Sequence, residues 1–271
     1  MDKTAPIGVF DSGVGGLTVV REIFRNLPNE RIIYYGDTAR VPYGNKSAET
    51  VVRYSRQICR FLISKKVKAI VVACNTASAL ALYTIKKDFD VPIIGVVEPG
   101  AAAAVRATKT GSIGVIGTSS TISSGLYDKC IRDLNPYATI FSQACPLFVN
   151  LVEEGMIDDP VTVTMIHRYL DNMLKKDSID TLILGCTHYP LLRKVIGREI
   201  GSDITLVNPA YETAQALIKL LEDHDIVSNV ASPVEFKEHE FYVSDATDKF
   251  QEFAKDNLGF DIENTKLEVL E

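Results

Sequence analysis

The chain has 271 residues, 46% of them hydrophobic, enough apolar side chain for a large core divided between two domains. Its formal charge of −6 offers no general attraction to nucleic acid or to an anionic membrane, so neither is expected as a partner. No apolar stretch reaches transmembrane length and no signal peptide precedes the first apolar run at Ile7, so a cytoplasmic protein with five reduced cysteines is expected.

Ile7-Gly-Val-Phe10 reads as a short strand, and Asp11-Ser12-Gly13-Val-Gly15-Gly16 as the turn after it. Leu17, Val20 and Phe24 then recur at helical spacing before Pro28. Ile32–Tyr35 is the next strand and opens into the loop Gly36-Asp-Thr-Ala-Arg-Val-Pro-Tyr-Gly44. Val51, Tyr54, Ile58, Phe61 and Leu62 predict an amphipathic helix. It leads to Lys68-Ala-Ile-Val-Val-Ala-Cys74-Asn75-Thr76, an apolar run that stops at a thiol and two small polar residues. Pro92 introduces a strand over 93–97, and Glu98-Pro-Gly-Ala starts a helix.

The pattern then restarts. Ile7-Gly8-Val9 recurs as Ile113-Gly114-Val115 at an offset of 106, Cys74 recurs as Cys186 at 112, and Pro99 recurs as Pro209 at 110. Thr181-Leu-Ile-Leu-Gly-Cys186-Thr187-His188 repeats the design of the first cysteine run. Apolar runs without alternation are the mark of strands buried on both faces of a parallel sheet. The repeat predicts two pseudo-symmetric, doubly wound α/β domains of flavodoxin-like type. After Pro209 it stops, leaving a helix near 212–221, a strand Glu240–Val243 and a helix carrying Phe250 and Phe253. Residues 1–97 alone supply too few strands for a doubly wound half. The expected division is therefore 1–97 plus 210–271, carrying Asp11 and Cys74, and 98–209, carrying Cys186. Ligands bind at the carboxyl ends of such strands, which sets both cysteines in the cleft between the domains.

A thiol at a strand-to-helix junction meets the positive end of a helix, which pulls its pKa below the usual ~8.5 and makes it a base or nucleophile. Cys59 and Cys130 fall within helical stretches and read as structural. Asp11 and Ser12 follow a strand and belong in the same cleft. Tyr43, Gly44, Thr118 and Thr121 supply N–H and O–H donors at other strand ends, suited to carboxylates. Gly13-Val-Gly15-Gly16 does not fit the dinucleotide fingerprint, so no nucleotide is expected. Glu153 lies in a loop or frayed helix, where a solvated carboxylate is the default, and His188 is an acid/base group or a cap. The residues alone leave three chemistries open. Cys74 and Cys186 can act as a pair of bases, can join His188 in a zinc site with a free position, or can form a reversible disulfide.

Four blocks taken together resemble one family. Asp11-Ser-Gly-Val-Gly-Gly-Leu17, Ala39-Arg-Val-Pro-Tyr-Gly44, Ala73-Cys-Asn-Thr-Ala-Ser-Ala79 and Gly185-Cys-Thr-His-Tyr-Pro-Leu-Leu192 are similar to motifs of the bacterial glutamate racemases, in the same order along the chain. Aspartate and hydantoin racemases belong to the wider family, and Thr187-His188 after the second cysteine resembles its glutamate members. The resemblance implies an isomerase without cofactor or metal, a homodimer, that supplies D-glutamate for peptidoglycan in cell-wall biogenesis. It implies that Cys74 takes the proton from D-glutamate and Cys186 from L-glutamate, supported by Asp11 on one side and by His188 with Glu153 on the other. It further implies Asn75, Thr76, Thr118 and Thr121 around the α-carboxylate, Ser12, Tyr43 and Gly44 around the side-chain carboxylate, and Thr187 with Asp11 at the ammonium. With a short segment before Asp11, no regulation through an N-terminal extension is expected.

Overall fold

The protein is described by a computed structural model that covers residues 2–175, 179–245, 247–262 and 265–271. Among these residues ten strands occur: β1 (Ile7–Asp11), β2 (Ile32–Gly36), β3 (Ala69–Val72), β4 (Ile93–Gly95), β5 (Ser112–Gly117), β6 (Thr139–Ala144), β7 (Thr181–Gly185), β8 (Thr205–Val207), β9 (Glu240–Val243) and β10 (Thr265–Leu267). They form two sheets in which every pairing is parallel, ordered β10-β9-β2-β1-β3-β4 and β6-β5-β7-β8.

The central strands are the continuous apolar runs. All residues of β1, β3, β5 and β7 are buried, because helices cover both faces of each sheet. Helices Leu17–Asn26 and Pro209–Asp223 bury Leu17, Val20, Ile23, Ala214 and Leu217 on one face of the first sheet. Helix Ala48–Ser64 seats Val51, Ile58 and Leu62 on the other. On the second sheet, helix Pro160–Leu174 buries Ile166, Leu170 and Met173, and helix Val97–Ala107 packs Ala101 and Ala104 against the opposite face.

The sequence repeat has a topological counterpart. Ile7-Gly-Val9 lies on β1, whose neighbours are β2 and β3; Ile113-Gly-Val115 lies on β5, whose neighbours are β6 and β7. Cys74 follows β3 and Cys186 follows β7, the corresponding strands of the two sheets. The strands of the tail, β9 and β10, extend the first sheet beyond β2. The strand read over 93–97 is shorter, because helix Val97–Ala107 already begins where it was expected to end.

Candidate active site

Ten of the residues singled out above line one small cavity at the carboxyl ends of the strands. They are Ser12, Tyr43, Gly44, Cys74, Asn75, Thr76, Thr118, Cys186, Thr187 and His188. Its volume of about 20 Å³ is room for roughly one water, so the two halves stand closed over it. A far larger cavity of about 770 Å³ lies alongside, lined by Gly13, Val14, Val41, Glu153 and Phe253 among others, and neither cysteine lines it. Size does not mark the site here. Convergent thiols and donors do.

The two cysteines differ in what holds them. Cys74 caps helix Asn75–Leu80, its sulfur accepting the Ala77 N–H at 3.4 Å and lying 3.7 Å from Ser12 Oγ. The helix start does not set its acidity. Burial and the neighbouring charge of Asp11 push the thiol up to about 12, against the Ala77 and Ser12 hydrogen bonds that favour thiolate. With the cleft closed, Cys74 therefore holds its proton. Cys186 is not a helix cap. A 3-10 turn, Tyr189–Leu192, follows it, and His188 Nδ1 lies 3.9 Å from its sulfur. On the other side of that ring, Nε2 lies 3.0 Å from Glu153 Oε1. Burial works against the imidazolium, but the Cys186 and Glu153 partners outweigh it and raise His188 to about 10.

The remaining residues complete the wall or stand behind it. Thr76, Thr118 and Thr121 form a triangle of hydroxyls with sides of 2.9, 3.1 and 2.9 Å, and Thr118 caps helix Ser119–Ser123. Asp11 is fully buried beneath the cavity rather than on its surface. It accepts from Gly13 N–H at 3.0 Å and Thr187 Oγ1 at 3.4 Å, and burial raises its pKa. Glu153 ends helix Leu147–Glu153 at the rim; it is anchored on His188, not free in solvent as its loop-like sequence had suggested. Tyr43 donates to the buried Asp37 carboxylate, which also takes Arg40 and Ser244, so the turn Tyr43–Asn45 is held from below. Among the described residues no three His, Cys, Asp or Glu side chains are grouped to hold a metal ion, and the five cysteines are unpaired.

Sequence reasoning missed several contributors. Val41, Pro42 and Val149 form apolar wall. Ser120 Oγ donates to the Gly44 carbonyl at 2.8 Å, joining the two halves over the site. Tyr127 OH donates to Asn75 Oδ1 at 2.7 Å. Tyr127 shows in the sequence only as an apolar-face residue of a helix, which carries no sign of a polar task.

Residues 7–219 match the model of the Asp/Glu/Hydantoin racemase family, well over half of the chain. The chain belongs to that family. A glutamate racemase of Geobacter metallireducens is 49% identical over 239 residues, covering 88% of this chain and 87% of the relative. Among solved structures of the racemases, a glutamate racemase isoform from Bacillus anthracis superposes with TM-score 0.92 at 41% identity, covering 99% of this chain and 98% of that one. The Francisella tularensis glutamate racemase, solved in complex with D-glutamate, superposes with TM-score 0.91 at 36% identity and covers 99% of both chains. As a racemase-family chain it is an isomerase, and its two-sheet α/β architecture is the one these relatives share.

Proposed function

We propose that this chain is a cofactor-independent glutamate racemase that interconverts L- and D-glutamate with Cys74 and Cys186 as paired bases. One observation carries the reading. Two thiols at the ends of corresponding strands of two like sheets line a single cavity ringed by carboxylate donors. The relative bound to D-glutamate, which matches over nearly the whole chain, supports glutamate as the substrate.

Inverting an α-carbon requires a base on one face and an acid on the other, exchanging protonation states on each turnover. In this reading Cys186 takes the proton of L-glutamate with the His188 imidazolium as counter-ion, while protonated Cys74 delivers one to the opposite face. D-glutamate runs the same steps in reverse, with Cys74 as base. Asp11 supports Cys74, and Glu153 supports His188. Thr76, Thr118, Thr121 and Asn75 receive the α-carboxylate. Ser12, Tyr43 and Gly44 receive the side-chain carboxylate, and Thr187 holds the ammonium, backed by the buried Asp11 carboxylate to which its hydroxyl donates. Residues 1–97 with 210–271 form one domain and 98–209 the other. The enzyme works in the cytoplasm as a homodimer and supplies D-glutamate for peptidoglycan.

Deuterated water tests the pair of bases. A thiol proton exchanges with solvent between turnovers, so the proton returned to Cα comes from water. At low conversion, from either enantiomer, the product is expected to carry deuterium at Cα while unreacted substrate stays protiated. Mass spectrometry of the separated enantiomers reads this directly. Protium retained in the product means that one base swings across the plane, and no isomerisation of glutamate at all overturns the substrate.

A further inference from the structure

Tyr127 lies on helix Leu126–Leu134, which packs on the second sheet, and it is 2% exposed. Its hydroxyl donates to Asn75 Oδ1 at 2.7 Å, and Asn75 follows Cys74 at the end of the first sheet. The contact therefore crosses the cleft. A carboxamide presents an acceptor at one end and two donors at the other, and only the donor end can receive a carboxylate, which has acceptors alone. Which end faces the cavity depends on what holds the other. Among the described residues, Asn75 Oδ1 is the sole hydrogen-bond acceptor for the Tyr127 proton. Turning the amide over would present Nδ2 to the phenol and leave that buried proton without an acceptor. Burial also keeps the phenol protonated, so the donor is constant across the working range. Asn75 lines the cavity between the cysteines, and no hydrogen bond to its Nδ2 occurs among the described residues.

We infer that Tyr127 is a positioning residue of the active site, holding the Asn75 amide with its NH2 directed at the substrate carboxylate. This rests on the racemase reading above and extends it to a residue that touches no substrate. Because the two residues come from opposite halves, the donor is oriented only while the halves are together.

The test is a double-mutant cycle in steady-state kinetics with L- and D-glutamate, using Tyr127→Phe, Asn75→Ala and the pair. Tyr127→Phe keeps the ring and removes only the hydroxyl. It is expected to raise KM for both enantiomers about tenfold, with a smaller change in kcat. Asn75→Ala is expected to raise KM at least as much, and Tyr127→Phe to add nothing in that background. A structural tyrosine would lower stability and active fraction without this dependence on Asn75. If Asn75→Ala does not fold, Asn75→Ser closes the cycle in its place. Unchanged KM in Tyr127→Phe, or an effect that multiplies undiminished with the Asn75 change, overturns the positioning role. Absence of glutamate turnover by the unmodified enzyme overturns the racemase reading instead, so the two failures are distinct.

Discussion

Glu153 Oε1 lies 3.0 Å from His188 Nε2, so a carboxylate at one helix end holds the imidazole whose other nitrogen faces Cys186. Glu153 is one of two partners that raise His188 to about 10 despite burial. Glu153→Gln keeps a hydrogen bond and removes the charge. A group with a raised pKa loses its charged form as pH rises through that value, so weakening the partner moves the loss to lower pH. The basic limb of the kcat/KM profile is expected to fall by about one pH unit, with the acidic limb in place. An unshifted basic limb would show that Glu153 does not hold the imidazolium.

The thiols separate into two classes. Cys74→Ser and Cys186→Ser are expected to fold and to lose racemisation by about a thousandfold, since a hydroxyl is a far weaker acid and is rarely ionised at neutral pH. Cys59 and Cys130 sit in helices away from the cavity, with thiols that burial pushes up to about 12 and about 11. Serine there is expected to leave turnover within about twofold, apart from any loss of folded protein. Full activity of either Cys74→Ser or Cys186→Ser sinks the assignment.

Closure over the site depends on two glycines. A Cβ at Gly15 would stand 2.3 Å from Thr187 Oγ1 and 2.6 Å from His188 Nδ1, and one at Gly44 would stand 2.6 Å from Thr118 Cβ. Each pair joins the first half to the second, so alanine acts as a wedge in the cleft. Gly15→Ala and Gly44→Ala are each expected to cost about a hundredfold in kcat/KM, since misplacement of about 1 Å suffices for that. Gly197 is the control, because a Cβ there meets only Leu206 Cδ1 at 3.6 Å and the residue lies within helix Arg193–Ile200. Gly197→Ala is expected to keep activity and gain up to about 1 kcal/mol in denaturant unfolding. Wild-type turnover by both wedge variants would show that the closed arrangement is not the working one.

Substrate choice tests the carboxylate pocket. Donors built for a second carboxylate lose their partner when glutamine or norvaline is bound, which costs more than a missing apolar contact. Both compounds are expected to turn over at least about a thousandfold more slowly than glutamate in kcat/KM. Comparable turnover of glutamine would remove Ser12, Tyr43 and Gly44 from that role.

What was readable from the sequence followed burial. The two cysteine strands showed themselves because β3 and β7 are buried throughout and almost wholly apolar, and each is closely followed by a thiol and polar residues. β6 gave no such sign: it is an edge strand with no buried residue, so burial did not constrain its composition. The cysteines and their neighbouring hydroxyls were legible as motifs because each is contiguous in the chain. Asn75 with Tyr127 and His188 with Glu153 are pairs 52 and 35 residues apart, made by packing rather than by spacing. The same limit applies to Cys74. A helix start argues for an acidic thiol, but the depth of burial and the nearby Asp11 decide the outcome, and neither can be read from the strand–helix pattern.

Acid stability gives a prediction independent of activity. His239 Nδ1 accepts the Ile32 N–H at 3.1 Å, next to the start of β2, and its ring lies over Phe24 with centroids 4.3 Å apart. Burial lowers its pKa from 6.5 to about 4, with Glu238 opposing and Arg31 reinforcing the shift. Protonation would turn Nδ1 into a donor facing another donor and set a charge among aromatic rings. The folded value lies below the unfolded one, so the unfolded chain takes up the proton first. The stability that neutral His239 contributes is full above pH 6.5 and is lost as pH falls from there to about 4. In His239→Asn the side-chain oxygen can still accept from Ile32, but the titration is gone. Urea unfolding of both proteins across this window isolates the effect, because every other titrating group is common to the two. Wild type is expected to be more stable at neutral pH, and the difference is expected to shrink steadily as pH falls from 6.5 to about 4. A difference that stays constant across the window would mean that His239 takes its proton as readily in the fold as in the unfolded chain.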